Sequence, residues 1–510
     1  MLRRVSASFS AQLWSLSVSL ADRVILVAIL LRVWGAEAYA DWATLFAMAG
    51  LISMGEMGLN IYFGNQWQRT YAQKNEAEFQ RFIGISLWVY GVLGVSLAAL
   101  VTGLVWFGDL ASHFNFHTLN ASAYITIFLL FSGAQILRIM RGSISQIYRG
   151  RGQYATGIMI DSVALSSSIF FAVTAALMGA SPIVIAAIYF LNDLISGWGV
   201  MMLDLHRRFK RLRFWPLRPT LKEIKHIIDH GKWYALLQGV PIAWLQGPVL
   251  IINLIGLGGM SLVGFLLART LVNFARQVSE MLARSVGVEV ASAFHLEKKD
   301  QLASRLSIFG RFLSGLNGGI IGGLMIFGST VIALWSGKSD IYNAWVFFWL
   351  LGPSVFIAPA LPIKNVLMLG NLPRPVGLAS VLQILIGLPL SYGLAQLYGA
   401  AGVAAALAIG EVIALGLFLP FIGFHHIGGG YLKYFTKCVS AFTLSCSWCA
   451  LVAWLVLYIL GANSFLMFIF TGALWGVFGF LPALFISTPK DIRLQIFGKI
   501  KKVGLFRIRD

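Results

Sequence analysis

The chain has 510 residues, of which 58% are hydrophobic and only 12% charged, and its mean hydropathy is +0.79. A soluble globular protein carries about 25% Asp, Glu, Lys and Arg, so this composition excludes a water-soluble enzyme and excludes disorder. The same apolar chain has a formal charge of +19, from 39 basic against 20 acidic residues. Nucleic-acid binding, anionic-lipid contact and topology signals on membrane loops are the three readings of that excess, and placement decides among them.

A helix needs about 20 apolar residues to cross a bilayer, and runs of that length recur along the whole chain. The predicted spans are 13–33, 42–64, 82–107, 121–139, 155–179, 183–203, 233–256, 260–283, 312–335, 342–363, 376–397, 403–424, 438–460 and 464–487, fourteen in all. Unbroken stretches such as Val412–Leu419 and Ala450–Leu460 lack the alternation of a membrane barrel. The expected fold class is therefore all-α, a polytopic membrane protein of about 14 transmembrane helices.

With the N-terminus inside, 34 of the 39 basic residues fall on inner segments: Arg3 and Arg4, 66–81, 138–154, 205–232, 284–311, 364–375, 425–437 and 489–510. Arg23, Arg32, Arg269 and Arg276 lie within spans, and Lys338 sits in an outer loop. The outer loops carry Glu37, Asp41, Asp109 and Asp340. This asymmetry predicts cytoplasmic N- and C-termini. The segment His206-Arg-Arg-Phe-Lys-Arg-Leu-Arg-Phe-Trp-Pro reads as contact with anionic phospholipid headgroups plus a topology signal, and no nucleic acid is expected. No cleavable signal peptide is expected, because the first apolar run is too long and lacks a small-residue cleavage site. Outer loops stay within roughly 14 residues, the longest being Gly108–Asn120, which argues against an enzyme working on glycans outside the membrane.

At a shift of about 220 residues the chain resembles itself. Gly35 matches Gly256, Glu76-Ala-Glu-Phe-Gln matches Glu297-Lys-Lys-Asp-Gln, and Gly150 and Gly157 match Gly370 and Gly377. Leu177-Met-Gly-Ala matches Leu397-Tyr-Gly-Ala, and each is followed by an acid in the next span, Asp193 and Glu411. An even shift of six spans preserves topology and predicts a parallel repeat. The expected organisation is an N-lobe (1–204), a basic linker (205–232), a C-lobe (233–424), two added spans (425–487) and a basic tail (488–510).

Charge inside a bilayer is costly and normally faces the bundle interior. In the eighth span Arg269, Asn273, Arg276 and Glu280 recur at i, i+4, i+7 and i+11 and share one stripe. Either Arg276 pairs with Glu280 one turn on, or the arginines meet an anionic substrate. The first span has a stripe of Gln12, Ser15, Ser19 and Asp22 with Arg23 adjoining, and Arg23 is the natural companion to Arg269 if the two lobes enclose a cavity. Arg32 is placed to snorkel to the outer surface.

The acids Asp22, Glu56, Asp161, Asp193, Glu280 and Glu411 are candidates for coupling to a proton or a sodium ion, with Asn60 or Asn192 nearby. Their alternative role is to hold the arginines or a helix end. Pro241 and Pro248 in span seven, and Pro353, Pro359 and Pro362 in span ten, predict kinks. Cys446 and Cys449 lie mid-span and read as packing, and His226 and His230 lack further ligands, so no metal site is expected. Without a Walker A motif, a Gly-rich nucleotide loop or a nucleophile triad, no enzymatic activity or cofactor is expected.

The segment Trp34-Gly-Ala-Glu-Ala-Tyr-Ala-Asp-Trp-Ala-Thr-Leu-Phe-Ala-Met-Ala-Gly-Leu-Ile-Ser-Met-Gly-Glu-Met-Gly-Leu resembles the first hairpin of the Wzx-type polysaccharide flippases. These belong to the multidrug/oligosaccharidyl-lipid/polysaccharide (MOP) exporter superfamily. The Gly-x-x-x-Tyr-Gly pattern of that family reads Gly35 to Tyr39 here, with Ala40 in the final place. Tyr148-Arg-Gly-Arg-Gly-Gln-Tyr-Ala-Thr-Gly and the six-plus-six repeat are also similar to it.

The resemblance implies a flippase in the bacterial inner (cytoplasmic) membrane, serving polysaccharide biosynthesis. It would move an undecaprenyl-diphosphate-linked oligosaccharide, of the O-antigen kind, from the cytoplasmic to the periplasmic leaflet by alternating access coupled to H+ or Na+. Glycan polymerase or assembly proteins would be its partners. A diphosphate suits arginine, so Arg23, Arg269 and Arg276, with Asn273 beside them, are the expected substrate contacts. A MATE-like multidrug antiporter and a lipid II flippase are the alternatives within the superfamily. A membrane glycan polymerase or ligase is the alternative from another class.

Overall fold

The computed structural model describes residues 2–108, 113–294, 299–369, 372–461 and 464–488. Asp109, Glu297, Gly370 and the basic tail from residue 489 lie outside these residues. Every regular element among the described residues is helical. Helix α1 (Leu2–Ala21) runs through a π turn (Asp22–Leu26) into α2 (Val27–Leu51), which bends at Gly35. A 3-10 turn (Ile52–Glu56) and left-handed Met57 and Gly58 lead to α3 (Leu59–Ala72). Then come α4 (Glu76–Phe107), α5 (Ala121–Gly150), α6 (Tyr154–Leu177) and α7 (Pro182–Asn192), the last continuing through a π turn (Asp193–Gly199) into α8 (Val200–Arg208).

Helix α9 (Leu221–Leu254) opens on a capping box, in which the Glu223 carboxylate accepts the Thr220 N–H at 2.7 Å and the Thr220 hydroxyl accepts the Glu223 N–H. Partial burial pushes the Glu223 carboxyl up, but bonds from Thr220 and Arg81 outweigh it and hold the group below the usual carboxylate range. Pro241 and Pro248 are absorbed inside this helix without ending it. The chain continues as α10 (Met260–Phe294), α11 (Lys299–Ser336), α12 (Ala344–Leu351), α13 (Ser354–Leu369) and α14 (Pro373–Glu411). A π turn (Val412–Phe418) joins α15 (Leu419–Ile427), followed by α16 (Tyr431–Leu460), α17 (Phe465–Trp475), a π turn (Gly476–Phe480) and α18 (Leu481–Ser487).

Ten helical stretches among the described residues are long and apolar enough to cross a bilayer. One of them, Pro373–Ile427, bends at Gly399 and carries the two spans predicted at 376–397 and 403–424. The segments predicted at 13–33, 42–64 and 260–283 are also helical but stand outside the ten. Their polar residues, such as Asp22 and Arg23, Glu56 and Asn60, and Arg269 and Arg276, dilute the apolar content. Exposed side chains such as Trp106, Phe107, Leu385 and Phe421 form the kind of surface that lipid covers. The chain is a polytopic, all-helical membrane protein.

Contacts divide the chain into two compact units, 1–263 and 264–510. In the first, α5 is central and touches α2, α3, α4, α6 and α7, while α1 lies on α6 and α9 lies along α2 and α3. Its core is aromatic, with Trp42 edge-on to Phe131 at 4.6 Å. In the second, α11 runs along α16, and α13 packs on α11.

Two of the glycine pairs that the predicted repeat aligns share a backbone conformation. Gly35 and Gly256 have φ of +83° and +79°, and Gly179 and Gly399 have +80° and +60°. All four occupy the left-handed region that a side chain disfavours. Moreover, Asp193 begins one seven-residue π turn and Glu411 immediately precedes the other.

The α11–α16 seam depends on small residues. A Cβ added at Gly318 or Gly322 would lie 2.3 Å from the carbonyl oxygen of Phe442 or Cys446, so the backbones touch in the manner of small-residue membrane interfaces. Gly318→Val is expected to cost about 1–3 kcal/mol or more through overpacking, read as a lowered midpoint of thermal unfolding in detergent. Gly393→Ala, where a new Cβ meets nothing within 4 Å, is expected to leave that midpoint in place.

Candidate functional site

The stripe predicted on the eighth span lies on α10, and the second unit gathers its charges around Arg276. Arg276 Nη1 donates to Glu411 Oε1 at 2.8 Å, and Nη2 donates to the Leu350 carbonyl at 3.0 Å. Its Nε is buried without a hydrogen-bond partner among the described residues. Arg269, two turns earlier, is 6% exposed, sets its guanidinium 5.6 Å from the Phe265 ring centroid, and lies within electrostatic range of both Glu411 and Arg276. Asn273 stands half-buried between them. The pairing of Arg276 with Glu280 gives way to the longer-range pair with Glu411, and Glu280 reaches Lys364 on α13 at 3.4 Å. The Leu350 carbonyl is available because α12 ends one residue later, and Gly352 and Pro353 interrupt the helix before α13.

The first unit handles its charge differently. Arg138 and Arg141, expected on an inner segment, both project from α5, which runs on to Gly150. Arg138 Nε meets Asp193 Oδ2 at 2.7 Å, and Arg141 Nη1 meets Asp193 Oδ1 at 2.9 Å. Arg141 Nε also reaches Asp161 on α6 at 3.0 Å. Two arginines and two aspartates thus form one closed network across α5, α6 and the π turn. Their i, i+3 spacing on one helix face was the signal in the sequence, masked by their proximity to the loop.

Other candidates are distributed around that network. Asp22 accepts a bond from the Tyr189 hydroxyl at 3.1 Å, and the Tyr189 ring lies 5.9 Å from the Arg138 guanidinium. Arg23 is on the exposed side of the same π turn. Glu56 caps α3, its Oε1 accepting the Asn60 N–H at 2.6 Å, while the Tyr90 hydroxyl donates to Asn60. Asn192 donates to the Ala164 carbonyl and the Ser168 hydroxyl and accepts from Ser167.

Asp41, expected in an outer loop, is buried in α2, where its carboxylate accepts the backbone N–H groups of His117 and Thr118 and the Thr118 hydroxyl. Arg151 of the Tyr148–Gly157 motif ties α4 to α5 by bonding Glu76 at 2.7 Å, with its guanidinium 4.3 Å from the Phe79 ring centroid. Cys449 is fully buried and Cys446 lies against Met325.

No family model matches the sequence, and no curated protein matches it. Solved structures do match its fold. The lipid II flippase MurJ, in an inward closed conformation, superposes with a TM-score of 0.70 at 12% identity, covering 97% of this chain and all of that one (100%). An inward-facing multidrug resistance MATE family transporter of the MOP superfamily gives 0.62 at 12% identity, covering 85% of this chain and 99% of that one. A MOP superfamily transporter from Pyrococcus furiosus, described by a reversed polarity of its binding pocket, gives 0.52 at 13% identity over 86% of this chain and 96% of that one. The chain therefore has the fold of MOP superfamily transporters.

Removing one member of a buried ion network strands the other charge, at a cost of about 3–5 kcal/mol. Asp193→Ala is accordingly expected to lower the thermal midpoint sharply. Arg81→Ala, which breaks the exposed Arg81–Glu223 pair, is expected to cost less than about 1 kcal/mol in the same measurement.

Proposed function

We propose that this protein flips a polyprenyl-diphosphate-linked oligosaccharide across the bacterial cytoplasmic membrane, with Arg269 and Arg276 receiving the anionic group. One observation carries the reading. The α10 cluster sets two guanidiniums against the single carboxylate of Glu411, and one buried guanidinium nitrogen has no hydrogen-bond partner. Such an arrangement suits an added anion with several acceptor oxygens, and a diphosphate satisfies arginine's fork of donors. Asn273 offers an amide to the same ligand.

Alternating access by a protein of this fold, with both termini cytoplasmic, would then carry the headgroup between leaflets. A cationic-drug antiporter needs an acid free to receive its cargo. In the first unit Asp161 and Asp193 are neutralised by Arg138 and Arg141, and Glu56 caps a helix, which leaves Asp22, held by the Tyr189 hydroxyl, as the acid such a cargo would need. The lipid II reading asks the same of the arginines and differs in the sugar. Among the acids, Glu411 and Asp22 are the proposed points of exchange with H+ or Na+, each held through one carboxylate oxygen by a side-chain donor among the described residues.

The test is a flipping assay in proteoliposomes, with a fluorescent undecaprenyl-diphosphate oligosaccharide made accessible to a membrane-impermeant quencher. Losing a charged hydrogen bond of about 1.5–3 kcal/mol predicts a drop of about 10-fold or more for Arg269→Ala and for Arg276→Ala, whereas Arg81→Ala is expected to flip normally. Normal lipid flipping by a variant carrying both Arg269→Ala and Arg276→Ala, together with loss of ethidium transport, would overturn the proposal in favour of the drug antiporter.

A further inference from the structure

The two units hold their buried acids in different ways, and the difference assigns Glu411 a role. In the first unit both oxygens of Asp193 are bonded, each to its own arginine, and Arg141 is held again by Asp161. Arginines and aspartates balance two to two. In the second unit Glu411 bonds Arg276 through a single oxygen and a single nitrogen, at 2.8 Å. The rest of the Arg276 fork is divided between the Leu350 carbonyl and an Nε with no partner. Arg269 adds a second positive charge nearby. A carboxylate can bind an arginine bidentately, so this one-point contact is the weaker of the two forms and the easier to exchange.

We infer that Glu411 is a resident stand-in for the anionic group of the substrate, an internal competitor that a diphosphate displaces from Arg276. The inference rests on the reading of α10 as an anion-binding helix and deepens it. In the empty protein the Glu411 carboxylate offsets a buried guanidinium that would otherwise be stranded among apolar side chains. An arriving diphosphate brings more acceptor oxygens and more charge, takes the Nε and Nη donors together, and frees Glu411. The π turn that follows Glu411 (Val412–Phe418) is a backbone irregularity of the kind found at functional sites. A carboxylate freed inside an apolar bundle draws a cation from water, so anion entry and cation uptake become linked.

Binding of farnesyl diphosphate to the full chain in detergent, measured by titration calorimetry against farnesol as the uncharged control, tests this. Glu411→Gln keeps the shape and removes the competing charge, so it is expected to bind about 10-fold tighter than the unaltered chain. Glu411→Asp, one methylene too short to keep the contact, is expected to shift affinity in the same direction and serves if the Gln variant fails to fold. Arg276→Ala is expected to weaken binding, and adding Glu411→Gln to it is expected to restore nothing, because the competitor then has no target. Glu223→Gln, in the capping box of α9, is expected to bind like the unaltered chain.

Unchanged or weaker binding by the folded Glu411 variants, while the unaltered chain binds, overturns the stand-in and leaves the proposed function intact. Binding of farnesyl diphosphate no better than farnesol by every form overturns the proposed function and the inference with it.

Discussion

The interaction on which this molecule turns is the pairing of arginine with carboxylate inside an apolar helical bundle. Neither partner is tolerated alone there: a lone charge at the bilayer centre costs about 2.5–3.5 kcal/mol on insertion scales and more in isolation. The helices are arranged accordingly. Helix α5 presents Arg138 and Arg141 toward the π turn beginning at Asp193, and α10 presents Arg276 toward Glu411 at the end of α14. Once those partners must meet, the order of packing in each unit is largely determined. In the first, α6 must come close enough to add Asp161. In the second, α12 must stop where its Leu350 carbonyl can receive the other arm of Arg276.

Breaks in the helices serve the same end. The turns at Gly35 and Gly399 change direction without a loop, and the interruption at Gly352 and Pro353 leaves a carbonyl to be used by a side chain. Close backbone contact does the remaining work in the second unit, where α11 lays its glycines on the carbonyls of α16. Packing of this kind does not depend on the hydrophobic effect, which has little purchase between helices already in lipid.

Much of this was readable from the chain alone, for a physical reason. Apolar length reports a spanning helix directly, and the i, i+4, i+7 spacing of Arg269, Asn273 and Arg276 placed them on one face. What escaped was partnership. Glu411 is 135 residues from Arg276, and no local pattern links them, whereas Glu280 at i+4 offered a nearer and misleading partner. Arg138 and Arg141 were taken for loop residues because a helix that continues past the membrane has no apolar signal at its inner end. Asp41 was assigned to an outer loop for the mirror-image reason: the outer ends of the helices are polar, and an acid there that holds backbone N–H groups looks like any solvated acid. The π turns leave no mark in composition, so the irregularity beside Asp193 and beside Glu411 is visible only in three dimensions.

Four of the left-handed glycines invite a historical reading. Positions 35 and 256, and 179 and 399, which the predicted repeat pairs, share a positive φ, although little else in the paired segments is the same residue. A duplicated ancestral half would leave this trace, because a backbone turn that only glycine tolerates is purged of variation, while side chains on straight helices drift. The charges differ where these turns do not: the first unit balances two arginines with two aspartates, and the second sets Arg269 and Arg276 near Glu411. In such an architecture a handful of substitutions on α5, α10 or α14 would reverse the polarity of a buried cluster without touching a single turn.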